Sequence, residues 1–246
     1  MLESRQQRGV HATMKKLTVV MTYYNQDKML DKQIENWNSY SDDIRDQVKF
    51  ILVDDCSMQN STEGFDFSEC GVDLDVYRVL DDVYFNVPGA VNLGADKTET
   101  EWFIKQDMDT IIPEETMNKL LELIESDPEK TIYKFYRTNG TEISNANKIT
   151  PGQFMIRKND FWSIGAWDED FCEDYGMNDP AFFWRASQDN YTVIEGYDLH
   201  VTIDGDGESD IERDCSVNSE LLDQKKSGKV QWSDDYLRFN WKKLEI

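Results

Sequence analysis

Asp107 and Asp109 stand one residue apart in the stretch WFIKQDMDTIIP, directly after residues that read as a buried strand. A charge at such a place is costly without a partner. Where a strand ends and a helix begins, carboxylate oxygens suit a hard divalent cation, Mg²⁺ or Mn²⁺, which can bridge onward to phosphate oxygens. A D-x-D taken alone is as readily a pair of solvated loop acids. Asp54 and Asp55 in VDDCS end another strand, where they could start a turn or accept a hydrogen bond from a base N–H or a ribose hydroxyl. Asp179 in GMNDPAFFWRA precedes a helical stretch with Pro180 at its first position. That is N-cap chemistry, and a carboxylate so placed near a cleft can also serve as a general base. His200, one of two histidines, falls at the end of a probable strand in YDLHVTID. A lone histidine there is more often a packed residue than a ligand. DGDGESDIERDC is not a calcium loop, because Ser209 takes the required Gly position and Cys215 the closing Glu position; it reads as a solvated loop.

The elements that must position these groups follow from periodicity. KLTVVMTYYN is a β-branched run, KMLDKQIENWNSY places Met29, Leu30, Ile34 and Trp37 at helical spacing, and VKFILVDDCS is a second buried strand. LDVYRVL predicts a short strand, YFNVPGAVNLGADKTET a turn and helix, and EWFIK a further strand. PEETMNKLLELIESDP predicts a helix with Leu120, Leu121 and Ile124 as its apolar stripe, and sets Asp109 just before a helix N-terminus. This β-α-β rhythm predicts an α/β fold, a mostly parallel twisted sheet with helices on both faces. Ligands of such sheets sit outside the carboxyl ends of the strands, and TYYN, DDCS and DMD all fall there. From Thr131, TIYKFYR and QFMIRKNDFWSIG read as strands and turns, DPAFFWRASQ as a short helix and YTVIEGYDLHVTID as strand. That half forms a smaller, mixed acceptor-side subregion.

With 246 residues and 39% apolar residues, the chain can build a sizeable core. Its formal net charge of -23 argues against nucleic acid, whose phosphates need clustered Lys and Arg. Four cysteines without metal or disulfide spacing suit a reducing, cytoplasmic compartment. No apolar run reaches the length of a transmembrane segment, and residues 1–14 read as a disordered leader. Residues 205–246 read as a polar tail whose Trp232, Tyr236, Phe239 and Trp241 can pack back on the body.

The order of these motifs resembles the GT-A fold, family 2-like inverting glycosyltransferases, over roughly residues 16–203. LTVVMTYYN is similar to that family's first strand and uridine-side loop, and FILVDDCSMQNST to its VVDDGSTD-T segment. NVPGAVNLGAD resembles its N-G-x-x-x-A-x-N-x-G helix, and WFIKQDMDTIIPE its metal motif. GQFMIRKNDFWSIGAWDEDF and NDPAFFWR resemble its acceptor-side segments, except that Asn178 replaces a usual Glu and Ala181 a frequent Asp. The resemblance implies a Rossmann-like domain over 15–204, with a nucleotide-sugar half at 15–112 and an acceptor half at 113–204. It implies transfer from a nucleoside-diphosphate sugar donor to a glycan or other hydroxyl acceptor, with Asp179 as base. Mn²⁺ or Mg²⁺ would be held by Asp107, Asp109 and His200. Thr22, Tyr23, Tyr24, Asn25, Asp54, Asp55, Asn86, Gly89, Asn92, Gln106 and Asp107 would face the donor. Trp167, Asp168, Glu169, Asn178 and Arg185 would face the acceptor. A dehalogenase-type phosphatase fits less well, since the threonine after D-x-D comes one place early and the motif lies mid-chain. A non-catalytic nucleotide-sugar or glycan-binding module on the same fold would tolerate the changes at Asn178 and Ala181.

Overall fold

Strand β1 (Leu17–Tyr23) is buried along almost its whole length, as expected of a strand covered on both faces. Its residues divide by parity: Leu17, Val19, Met21 and Tyr23 join one apolar cluster, and Val20 joins another. Side chains alternate across a strand, so the two clusters lie on opposite faces of the sheet. The computed structural model describes residues 14–126, 128–138, 149–203 and 212–246. The leader through residue 13 and the loop 204–211 lie outside these.

Helix α1 (Asp27–Ser39) buries Leu30, Ile34 and Trp37 on the first cluster, and Trp37 packs 4.7 Å from Phe50 between ring centroids. A short helix α2 (Asp42–Gln47) leads into β2 (Val48–Asp54). Strand β3 (Leu74–Val79), helix α3 (Val87–Lys97) and strand β4 (Trp102–Gln106) follow. Strands β3, β2, β1 and β4 are parallel in that spatial order. Helix α3 is buried through Ala95 and covers the second cluster.

A two-residue strand β5 (Thr110–Ile111) stands between the D-x-D and helix α4 (Glu114–Glu125). Asp109 therefore does not sit at the helix start: residues 110 and 111 pair with β8 (Thr192–Ile203) before the helix begins. Strands β6 (Thr131–Thr138) and β7 (Ile149–Arg157) add antiparallel pairings beside β4, while β6 and β8 run parallel. The segment expected to turn after β7 is instead helix α5 (Lys158–Ile164), closed by Gly165 at φ 96°. Its Phe161 and Ile164 bury against the second cluster, and that packing decides the helix. Helix α6 (Asn178–Gln188) covers the same face. The tail forms helix α7 (Ser216–Lys226) and strand β9 (Trp241–Lys243), which pairs antiparallel with β3. Among the described residues the strands make one nine-stranded sheet, parallel at its centre and mixed toward its flanks.

Candidate active site at the strand ends

Register brings the acidic motifs together. Tyr23 is opposite Asp54, and Met21 is opposite Gln106, so Asp54, Asp55 and the D-x-D emerge on either side of the end of β1.

The two members of the first acidic pair have separate fates. Asp54 is fully buried, and its oxygens accept from Ser57 N at 2.8 Å, Thr62 N at 3.0 Å, Thr62 Oγ1 at 2.7 Å and Arg78 Nη1 at 2.7 Å. It ties down the loop after β2, with Oδ2 accepting three of these bonds and Oδ1 one. Asp55 accepts from Asn86, whose Nδ2 lies 3.1 Å away. Burial pushes its carboxyl up to about 7, against the hydrogen bond from Asn86.

The same test sorts the other donor-side residues. The Tyr23 hydroxyl donates to the Asn60 carbonyl and its ring is in the core. Asn25 Oδ1 accepts from the backbone of Gln59 and Asn60 at 3.1 Å each. Gln106 is buried, donating to the Thr110 carbonyl. Asn92 Nδ2 donates to the Trp167 carbonyl and to Glu169 Oε1 at 2.8 Å each, and Trp167 N donates back to Asn92 Oδ1. These four polar groups serve the fold. Gly89 leaves room for the tail, because a Cβ there would collide with the Phe239 ring and with Asn86 Oδ1. Tyr24 is 39% exposed, Thr22 half-buried, and Asn86 reaches Asp55; these keep their places at the strand ends.

Within the D-x-D, Asp107 is ion-paired with the buried Lys105 and accepts from Gln153 Nε2 at 3.2 Å. Burial raises the Asp107 carboxyl, but the Lys105 ammonium overcomes this and holds it below its ordinary value. Asp109 is raised, by burial and then by the Asp107 charge, with no neighbouring side-chain donor recorded among the described residues. An acid pair with one open carboxylate is an oxygen donor set suited to Mg²⁺ or Mn²⁺. His200 lies on β8 with its Nδ1 buried and without a hydrogen-bond partner among the described residues, edge-on to Tyr136 at 6.3 Å. Among the described residues no three His, Cys, Asp or Glu side chains come together as a metal cluster.

Asp179 is the second residue of α6, not its N-cap, which is Met177 at φ 64°. No side chain caps this helix, so capping does not account for the aspartate. Its carboxylate accepts from Asn178 Nδ2 at 3.1 Å and lies over Gly152. Burial pushes it up to about 6; Lys105 pulls down, Asp107 up and Lys134 down.

The other acceptor-side residues are engaged internally. Glu169 accepts from Asn92, Leu237 N and Arg238 N, and Asp168 from Lys225 at 2.8 Å. Arg185 donates to the Gly165 carbonyl at 2.8 Å and packs on Trp232. The Trp167 ring is buried 5.1 Å from the Lys105 ammonium. The partners just named lie in α3, in β4, at Gly165 after α5, in α7 and in the tail, all distant in sequence. Lys105 and Lys134 were missed as site residues; a lysine inside each of two apolar strands was the available signal.

Residues 18–175 match the model of glycosyl transferase family 2. Two crystal structures of S. aureus TarS residues 1–349, one alone and one in complex with UDP-GlcNAc, superpose with a TM-score of 0.60 at 17% identity. They cover 77% and 80% of this chain, which spans 60% of the length of either. At that identity the likeness is one of fold, the GT-A fold. No curated protein sequence gave a match.

Proposed function

Because this chain belongs to glycosyl transferase family 2, we propose that it moves a sugar from a nucleoside-diphosphate sugar to an acceptor hydroxyl, with inversion. The observation that carries this reading is Asp179, an uncapped carboxylate at a helix start whose burial raises it to about 6. A base with a pKa near the working pH transfers protons efficiently. Asp179 takes the proton of a glycan or other hydroxyl, whose oxygen attacks the anomeric carbon opposite the departing diphosphate. The nucleotide lies across the strand ends, with Asp55 accepting from it, Tyr24 beside its base, and Thr22 and Asn86 close by. Asp54 is left out because the loop after β2 and Arg78 already engage both its oxygens.

Asp109, with Asp107, would hold Mn²⁺ or Mg²⁺, and His200 is retained as a further candidate ligand. Such an ion, when bound, neutralises charge on a leaving diphosphate. Lys105 balances Asp107, so the site's acids can lie close together without accumulating unpaired charge. Asn178 steadies the Asp179 carboxylate by its hydrogen bond. Residues 15–112 are assigned to the donor half, 113–204 to the acceptor half and 205–246 to a tail on the domain. Among the described residues no helix is long and apolar enough to cross a membrane. Their four cysteines are all free, which supports a cytoplasmic setting.

The test is calorimetric titration with UDP-sugars, GDP-sugars and dTDP-rhamnose in Mn²⁺ or Mg²⁺, repeated with chelator. Metal-dependent binding of one donor, with transfer abolished and donor binding retained in Asp179→Asn, is the expected result. No binding of any donor in the presence of metal overturns the reading. Donor binding without transfer to any hydroxyl acceptor points to the non-catalytic module instead.

A further inference from the structure

Lys134 on β6 and Lys105 on β4 share a ladder partner, Phe154 of β7, which lies between them. Directly opposed residues project from the same face, so Lys134, Phe154 and Lys105 form a row across three strands. Gly152 lies two residues along β7, on that same face. A Cβ at Gly152 would meet both Asp179 carboxylate oxygens at 3.0 Å, so the carboxylate rests on bare backbone between the two lysine strands.

Among the described residues neither lysine is recorded hydrogen-bonding Asp179. The Lys105 ammonium is taken by Asp107. The Lys134 ammonium stands 4.0 Å from the centroid of the Phe183 ring, within cation–π range. That ring is itself fixed, edge-on to Phe154 at 5.7 Å and to Phe182 at 5.5 Å.

We propose that Lys134 is a positioning residue for Asp179, held by the Phe183 ring where it attracts the carboxylate without capturing it in a salt bridge. A direct salt bridge would lower a carboxylate by about 1–3 units and occupy the lone pairs a base needs. A cation held at one remove offsets part of the burial penalty and leaves those lone pairs open. The charged groups acting on Asp179 are Lys105 from β4, Asp107 just after that strand and Lys134 from β6; Glu195 from β8 acts on Lys134. The inference deepens the reading of Asp179 as base and rests on it for its catalytic meaning.

The experiment is a carboxyl ¹³C NMR titration of the full chain labelled at aspartate, with the Asp179 signal assigned by its loss in Asp179→Asn. Lys134→Met is expected to move the Asp179 midpoint up by about one unit, with Lys134→Arg close to the parent protein. Phe183→Leu, which frees the ammonium, is expected to move it down. A midpoint unmoved by Lys134→Met or by Phe183→Leu, in protein folded by near-UV circular dichroism, overturns the proposal. If Lys134→Met does not fold, Phe183→Leu carries the test. Shifts as expected, together with transfer surviving in Asp179→Asn, leave the lysine arrangement standing and remove the base assignment.

Discussion

Asn92 of α3 and Glu169 are joined by a 2.8 Å hydrogen bond in the interior, and the same amide group bonds both the N–H and the C=O of Trp167. One side chain thus fixes α3 to the segment leading into α6. Asn92→Ala removes all three bonds and leaves buried groups unpaired. It is expected to destabilise the fold by about 2–4 kcal/mol while leaving nucleotide affinity unchanged in the folded fraction. Urea unfolding alongside donor titration checks both halves.

Asp54 and Arg78 face each other across β2 and β3, 2.7 Å apart and almost out of solvent. Arg78→Met leaves a buried carboxylate without its cation and is expected to cost about 3–5 kcal/mol. Since Asp54 anchors Ser57 and Thr62, limited proteolysis should find the loop after β2 opened first.

Asp55 links stability to pH. An aspartate at the ordinary 3.8 in the unfolded chain and about 7 in the folded one keeps its proton longer when folded. Between those values the folded state binds more protons, so stability from this group falls as pH rises through the window and is lost above about 7. Asp55→Asn removes that loss. It should be more stable than the parent protein at pH 8 by on the order of 3 kcal/mol, and the difference should shrink toward pH 4. Thermal melts across pH measure it.

Asp179 imposes a sign on activity. The base form requires loss of a proton held up to about 6, so the transfer rate should fall as pH drops through that value. A pH–rate profile of kcat/KM with saturating metal reads this limb. A flat profile from pH 5 to 8 counts against Asp179 as base.

Gly89 packs against Phe239 so closely that Gly89→Ala must displace the ring or Asn86. About 1–3 kcal/mol of destabilisation is expected, with earlier protease cleavage in the tail. Cleavage unchanged from the parent protein would show that the ring gives way without loosening the tail.

Local pattern made the framework legible. Alternating and continuous apolar runs mark β1, β2 and β4, the spacing of Leu30, Ile34 and Trp37 marks α1, and the D-x-D at a strand end marks the edge of the sheet where ligands belong. These signals depend on neighbours within a few residues, and so did the family resemblance. Helix α5 was not legible, because KNDFWSI is helical through packing of Phe161 and Ile164 on strands distant in sequence.

Which acid of each pair is open was a tertiary decision. In sequence Asp54 and Asp55 are equivalent; in the fold Arg78 and Thr62 consume one and leave the other. Asn92, Glu169, Asp168 and Arg185 fit a ligand-binding reading as types, yet partners far along the chain engage them. A polar side chain can satisfy itself on protein or on ligand with the same chemistry. Sequence by itself therefore determined the sheet and the family, and only the folded chain decided which polar groups at the strand ends are engaged by other parts of the protein.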